Sequence, residues 1–313
     1  MPPWHLASFS LRATRLLASV FGGRLPPSEW YPAHEPGLTA RLIDLPGGER
    51  ARVIEGGPRE APPVFLVHGW GCSAYYYRKL VPSLVEAGRR VVALDLRGHG
   101  GSDKPVERER YTGEAMADFV ERAMDALDLD RPAVVAHSLG GAIMLDVAAR
   151  DAGRMSSLTL LAPVGLAPVR FVGVARVATP AVAVPLVPYA APRWSIPLVL
   201  RSVNGTLGSY SSRDVDEYWA PTQDPAFARA LRALLHGYRF EPRRDDELAR
   251  VVVPTLVILG GHDLLVRCRS SARRVSILPR GIPRIIERAA HVLAEEVPEA
   301  VLAELLPHIA AHR

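Results

Sequence analysis

The sequence predicts an α/β fold: a largely parallel sheet covered by helices, with a helical insertion late in the sheet. Two observations carry this. Short β-branched runs alternate with helical stretches over residues 38–164 and again over 248–313, the pattern of strands joined by crossover helices. Between them, residues 165–247 lose the alternation and hold nine prolines. The expected organisation is an N-terminal amphipathic helix and linker over 1–37, a core over 38–164 and 248–313, and a helical unit over 165–247.

The elements follow in order. Residues 6–21 place Leu6, Phe9, Leu16, Leu17 and Val20 near one helical face, with Ser8, Arg12, Arg15 and Ser19 on the other. Arg12 and Arg15 interrupt the apolar run, so it makes a poor signal peptide, and it is too short and too charged to span a bilayer. Such a helix either packs on the protein's own surface or makes a weak peripheral membrane contact. Residues 22–37, rich in Gly and Pro, read as a linker. Thr39–Leu45 and Arg50–Glu55 read as two strands joined at Pro46-Gly47-Gly48. Val64–Val67, Val91–Asp95, Val134–Ala136 and Leu158–Leu161 read as further strands, with a helix at Glu114–Leu127. In the insertion Asp214–Tyr218 and Pro225–Leu235 read as helices. Thr255–Leu259 and Arg284–Ile286 resume the strands, and a last helix starts near Val297.

Composition excludes little. Nearly half of the 313 residues are hydrophobic, enough for a sizeable core, and the formal charge is +5. Only Lys79 and Lys104 are lysines, the remaining cations being arginine, and no basic run carries interleaved aromatics. No nucleic-acid partner is therefore expected. Cys72 and Cys268 form no CxxC pair and no metal-ligand spacing. They read as reduced thiols, which points to the cytoplasm, with peripheral membrane association through residues 6–21 as an addition.

The most informative segment is Val134-Val135-Ala136-His137-Ser138-Leu139-Gly140-Gly141. A β-branched strand enters, an apolar helix leaves, and a serine sits between with small residues two positions to either side. A sharp strand-to-helix turn needs small residues there, and it lifts the hydroxyl to a helix N-terminus, where N–H groups favour developing negative charge. Against the pattern G-x-S-x-G, Ala136 replaces the first glycine. An acyl-transfer intermediate also needs two N–H donors for its oxyanion. The backbone N–H of Leu139 is one candidate, and that of Trp70, in the turn His68-Gly69-Trp70-Gly71 after a buried strand, is the other. His68 reads as a structural hydrogen-bonder. Asp95 to Ser102 lacks the P-loop arrangement and reads as a tight loop at the site's edge, fixed by Asp95 and Arg97.

Two later strands end in candidate partners for the serine. Asp263 follows Thr255–Leu259, and His291 follows Arg284–Ile286, so the order is Ser138, Asp263, His291. His291 would take the serine proton, and Asp263 would hold the imidazole's tautomer. Glu287 and His262 are weaker rivals for the acid and the base.

With these segments together, His68 to Gly71, Asp95 to Ser102, His137 to Gly141, Gly261 to Asp263 and Ala290-His291, the chain resembles the α/β-hydrolase superfamily over about residues 38–313. The resemblance implies a mostly parallel eight-stranded sheet with helices on both faces, a helical cap at 165–247 and no cofactor. Relatives that are dehalogenases or epoxide hydrolases carry an aspartate nucleophile, and Ser138 argues against both. The function expected is serine hydrolysis of a small-molecule carboxylic ester through an acyl-enzyme. No residue from 152 to 213 is acidic, which suggests an apolar acyl or alcohol group. Cleavage of a C–C bond in a ring-fission product, lactone or thioester hydrolysis, and a non-catalytic binding role on the same fold are the alternatives.

Overall fold

A computed structural model describes residues 25–170, 172–186, 191–205 and 209–312. Residues 6–21, with their amphipathic pattern, lie outside the described residues.

Eight strands form one sheet: β1 (Leu38–Leu45), β2 (Glu49–Gly56), β3 (Pro63–Val67), β4 (Arg90–Leu94), β5 (Ala133–His137), β6 (Ser157–Leu161), β7 (Thr255–Gly260) and β8 (Gly281–Ile286). Their spatial order is β1-β2-β4-β3-β5-β6-β7-β8. The β1–β2 hairpin and the β2–β4 pair are antiparallel, and all other pairs are parallel. Strand β8 starts three residues before the expected Arg284. Its Pro283 lacks a donor, and an edge strand, unpaired on one side, tolerates that.

Side chains alternate across the sheet and feed two cores. Phe65 and Val67 of β3, and Val134 and Ala136 of β5, enter one with α2 (Gly113–Ala126) and α3 (Leu139–Arg150). Val64, Leu66, Ala133 and Val135 enter the other, against α1 (Val81–Glu86) and the C-terminal helix (Pro298–Ala311). Near-continuous apolar strands are what a sheet buried on both faces requires.

Between β6 and β7 the chain leaves the sheet. It forms α4 (Val172–Ala178), α5 (Ile196–Val203), α6 (Ser212–Trp219) and α7 (Pro225–Gly237). Asp224 caps α7, with Pro225 at its first position, and a reciprocal Ser211–Asp214 box caps α6. Ile196, Leu200, Val215 and Trp219 give this unit a small core of its own. The short α8 (Asp245–Leu248) leads back to the sheet, and α9 (Cys268–Arg274) and α10 (Leu293–Glu296) follow β7 and β8. The C-terminal helix is α11.

Residues 25–37 do not behave as a free linker. Tyr31 is buried, its N–H donates to Glu217 Oε1 of α6 at 2.7 Å, and its carbonyl accepts from Arg52 of β2. The glycines and prolines concealed an aromatic anchor, because Trp30 and Tyr31 gain more by burial than a solvated linker offers. No helix among the described residues is long and apolar enough to cross a membrane.

Candidate active site

The site is built at the C-terminal ends of β3, β5 and β7, where α/β sheets open their crevices. Ser138 joins β5 to α3 with φ 50° and ψ −113°, a left-handed backbone that a non-glycine residue adopts only under constraint. The constraint is visible. The Ser138 N–H donates to Leu161 O at 3.0 Å, and its carbonyl accepts from Val164 N–H at 3.0 Å and Ala142 N–H at 3.2 Å. Gly140 is required, since a Cβ there would lie 2.4 Å from Val67 O and 2.5 Å from His68 O. Ala136, two residues before the serine, is fully buried in the first core, so its methyl finds room.

Ser138, His291 and Asp263 lie in one hydrogen-bonded line. His291 Nε2 is 3.0 Å from Ser138 Oγ, and its Nδ1 is 2.7 Å from Asp263 Oδ2. The second carboxylate oxygen of Asp263 accepts from the N–H groups of Leu265 at 2.7 Å and Val266 at 2.9 Å, which fixes its plane. The carboxylate side chain is 2 % exposed. The rivals Glu287 and His262 are exposed.

The loop after β3 passes close to the serine. A Cβ at Gly69 would fall 2.7 Å from His137 Nδ1 and 3.0 Å from Ser138 Cβ. Trp70 and Leu139, the two expected donors, both line the cavity. His68 is buried and structural: Nδ1 bonds Gly69 O at 2.7 Å and Nε2 accepts from Leu96 N–H at 2.9 Å. Asp95 and Arg97 both fix the next loop, through separate partners. Asp95 receives Ala74 N–H, Gly101 N–H and the Arg52 guanidinium. Burial alone would raise its pKa, but Arg52 and those N–H groups outweigh burial and hold the carboxyl below the ordinary range. Arg97 forks onto Glu49 at 2.5 and 2.7 Å.

Sequence reasoning missed two supporting histidines. His99 Nε2 accepts the Gly71 N–H at 3.1 Å, and its Nδ1 bonds Arg97 O at 3.0 Å, tying the two loops together. Burial depresses its pKa to about 3. His137 Nε2 bonds His291 O at 3.1 Å, and its ring stacks on Tyr76 at 4.1 Å. Burial, and then the neighbouring His291, hold it far below the usual imidazole range. Neither residue has a spacing signature, because each acts through a fold contact.

Above this line lies a cavity of about 320 Å³. One wall is hydrocarbon from the first core: Leu139, Val164, Leu235, Phe240 and Val266. The lining also includes Cys72, Val203, Val292, Tyr218 and Glu295. Burial, with Glu295 nearby, pushes the Cys72 thiol up, so it is no nucleophile at neutral pH.

A family model described as the α/β hydrolase fold matches residues 62–298. The chain belongs to the α/β-hydrolase family. Among curated relatives, a haloalkane dehalogenase of Psychrobacter cryohalolentis is 39 % identical over 107 residues, 34 % of this chain and 35 % of the relative. That match therefore spans about a third of the relative's length. The magnesium-chelatase 30 kDa subunit of Rhodobacter capsulatus is 29 % identical over 261 residues, 81 % of this chain and 89 % of that one. Among solved structures, a membrane phospholipase A described as a bacterial virulence factor superposes with TM-score 0.74 at 25 % identity, covering 99 % of this chain and 96 % of that chain.

Proposed function

We propose that this member of the family is a serine hydrolase that cleaves carboxylic esters with at least one hydrocarbon half. The observation that carries the reading is the Ser138–His291–Asp263 line, with separations of 3.0 and 2.7 Å, at the floor of an apolar cavity. His291 Nε2 takes the Ser138 Oγ proton as Oγ bonds the ester carbonyl carbon. The oxyanion that forms is held by the N–H groups of Trp70 and Leu139. As the tetrahedral centre collapses, the C–O bond to the alcohol breaks and the alkoxide takes the proton from His291. Water, deprotonated by the same imidazole, then releases the acid and restores Ser138.

Bond chemistry supports ester cleavage over the activities named for the dehalogenase relatives. A serine that attacked a saturated carbon would form an ether, which water does not cleave here. Attack at an acyl carbon gives an ester, which water does cleave. The likeness to a phospholipase over nearly the whole chain supports a lipid-like substrate.

The test is turnover of p-nitrophenyl esters by the wild type and Ser138→Ala, with fluorophosphonate labelling alongside. The variant is expected to lose at least about 10³-fold in kcat and all labelling. Equal turnover by both proteins sinks the mechanism. Labelling absent from folded wild type would favour a binding role, and turnover confined to a diketone ring-fission substrate would favour C–C cleavage.

A further inference from the structure

The cavity is lined mostly by hydrocarbon, but its lining includes a buried carboxylate that the ester mechanism does not use. Glu295 is 4 % exposed and lines the cavity. Its Oε1 accepts from Tyr218 Oη at 2.7 Å and from the Arg78 guanidinium. For its other oxygen, Oε2, no hydrogen bond is seen among the described residues, and it is not one of their fully enclosed acceptors, so it can take a donor placed in the cavity. Arg78 does not neutralise Glu295 alone, since its Nη2 also lies 2.5 Å from Asp214 Oδ1. One guanidinium thus serves two carboxylates. A ligand hydroxyl in the cavity supplies the donor that Oε2 lacks among the described residues.

We propose that Glu295 is a subsite for a hydroxyl group carried by one half of the ester, while the other half lies against the hydrocarbon wall. The proposal rests on the ester reading above. A hydroxyl fits better than an ammonium. It is neutral, so it does not oppose Arg78 on the same carboxylate. It also serves either state of Glu295, donating to a carboxylate or accepting from a carboxylic acid. That matters because burial raises the pKa of this group despite Arg78. The substrate class is an ester with one hydrocarbon half and one hydroxylated half. The hydroxyl can come from the alcohol, as in a monoester of a polyol, or from the acid, as in a hydroxyacyl ester.

Two matched pairs separate these sources and test the subsite. Propyl octanoate against 2,3-dihydroxypropyl octanoate places hydroxyls in the alcohol half. Octyl butyrate against octyl 3-hydroxybutyrate places one in the acyl half. In the wild type, one pair is expected to favour its hydroxylated member roughly tenfold or more in kcat/KM. Glu295→Met, checked for folding by thermal denaturation, is expected to bring that ratio close to one. The wild-type ratio needs no variant, so a variant that fails to fold leaves the test standing. Ratios within twofold for both pairs in a wild type that hydrolyses all four esters overturn the subsite and spare the ester reading. A wild-type ratio retained by folded Glu295→Met also overturns it. No hydrolysis of any of the four brings down both.

Discussion

His99 touches none of the reacting atoms, yet it joins the loop after β4 to the loop that carries Trp70. Its Nε2 accepts from Gly71 N–H only while the ring is neutral, and burial keeps it neutral with a pKa of about 3. An unfolded histidine titrates near 6.5, so between these values the unfolded chain binds the extra proton. Stability therefore falls as pH drops below about 6.5, and the loss is complete near the folded value. From pH 7 to pH 5 the contribution of His99 is about 2 kcal/mol. His68 and His137, both depressed by burial, add in the same direction. Urea unfolding at the two pH values is expected to show the drop, and His99→Gln is expected to shrink it by about 2 kcal/mol. An unchanged difference in the variant would mean that His99 titrates normally in the folded state.

At the scale of elements, the site depends on how closely the β3 loop approaches the β5–α3 turn. Gly69→Ala forces a Cβ into the His137 ring and against Ser138, at 2.7 and 3.0 Å. The loop must retreat, and with it the Trp70 N–H proposed for the oxyanion. The expected result is a fall in kcat of roughly 10²-fold with the fold retained. Steady-state kinetics and circular dichroism check it, and full activity would place the donor elsewhere. The same elements show what was legible beforehand. Buried parallel strands announce themselves as β-branched runs, and the ends of β5 and β7 carry Ser138 and Asp263; His291 follows the exposed edge strand β8, and the sheet order brings all three into one line. Short helices such as Val81–Glu86 and Cys268–Arg274 have too few turns for a period to show. Glu295 was unreadable for another reason. It stands four residues past His291 in a helix of four residues, and its meaning lies in Arg78 and Tyr218, 217 and 77 residues away.

The whole molecule places the cavity beside an apolar exterior. On the helical unit between β6 and β7, Trp194 is 65 % exposed, Leu198 57 % and Val199 58 %, and Val199 also lines the cavity. The segment from 152 to 213, which holds these residues, contains arginines and no carboxylate. Arg154, Arg176, Arg193 and Arg213 of the segment are already paired with carboxylates from outside it, while the exposed apolar side chains suit a lipid surface. Such a surface would present lipophilic esters at the mouth. The amphipathic pattern of residues 6–21, basic on its polar side, would add a second contact of the same kind. Full-length protein is accordingly expected to float with vesicles of phosphatidylglycerol and to do so less as salt rises, since screening shortens the electrostatic reach. Deleting residues 1–24 is expected to abolish stable flotation and leave turnover of a short water-soluble ester unchanged, because one weak contact alone gives marginal, reversible binding. Equal flotation after the deletion would remove residues 6–21 from the account and put the whole attraction on the helical unit between β6 and β7.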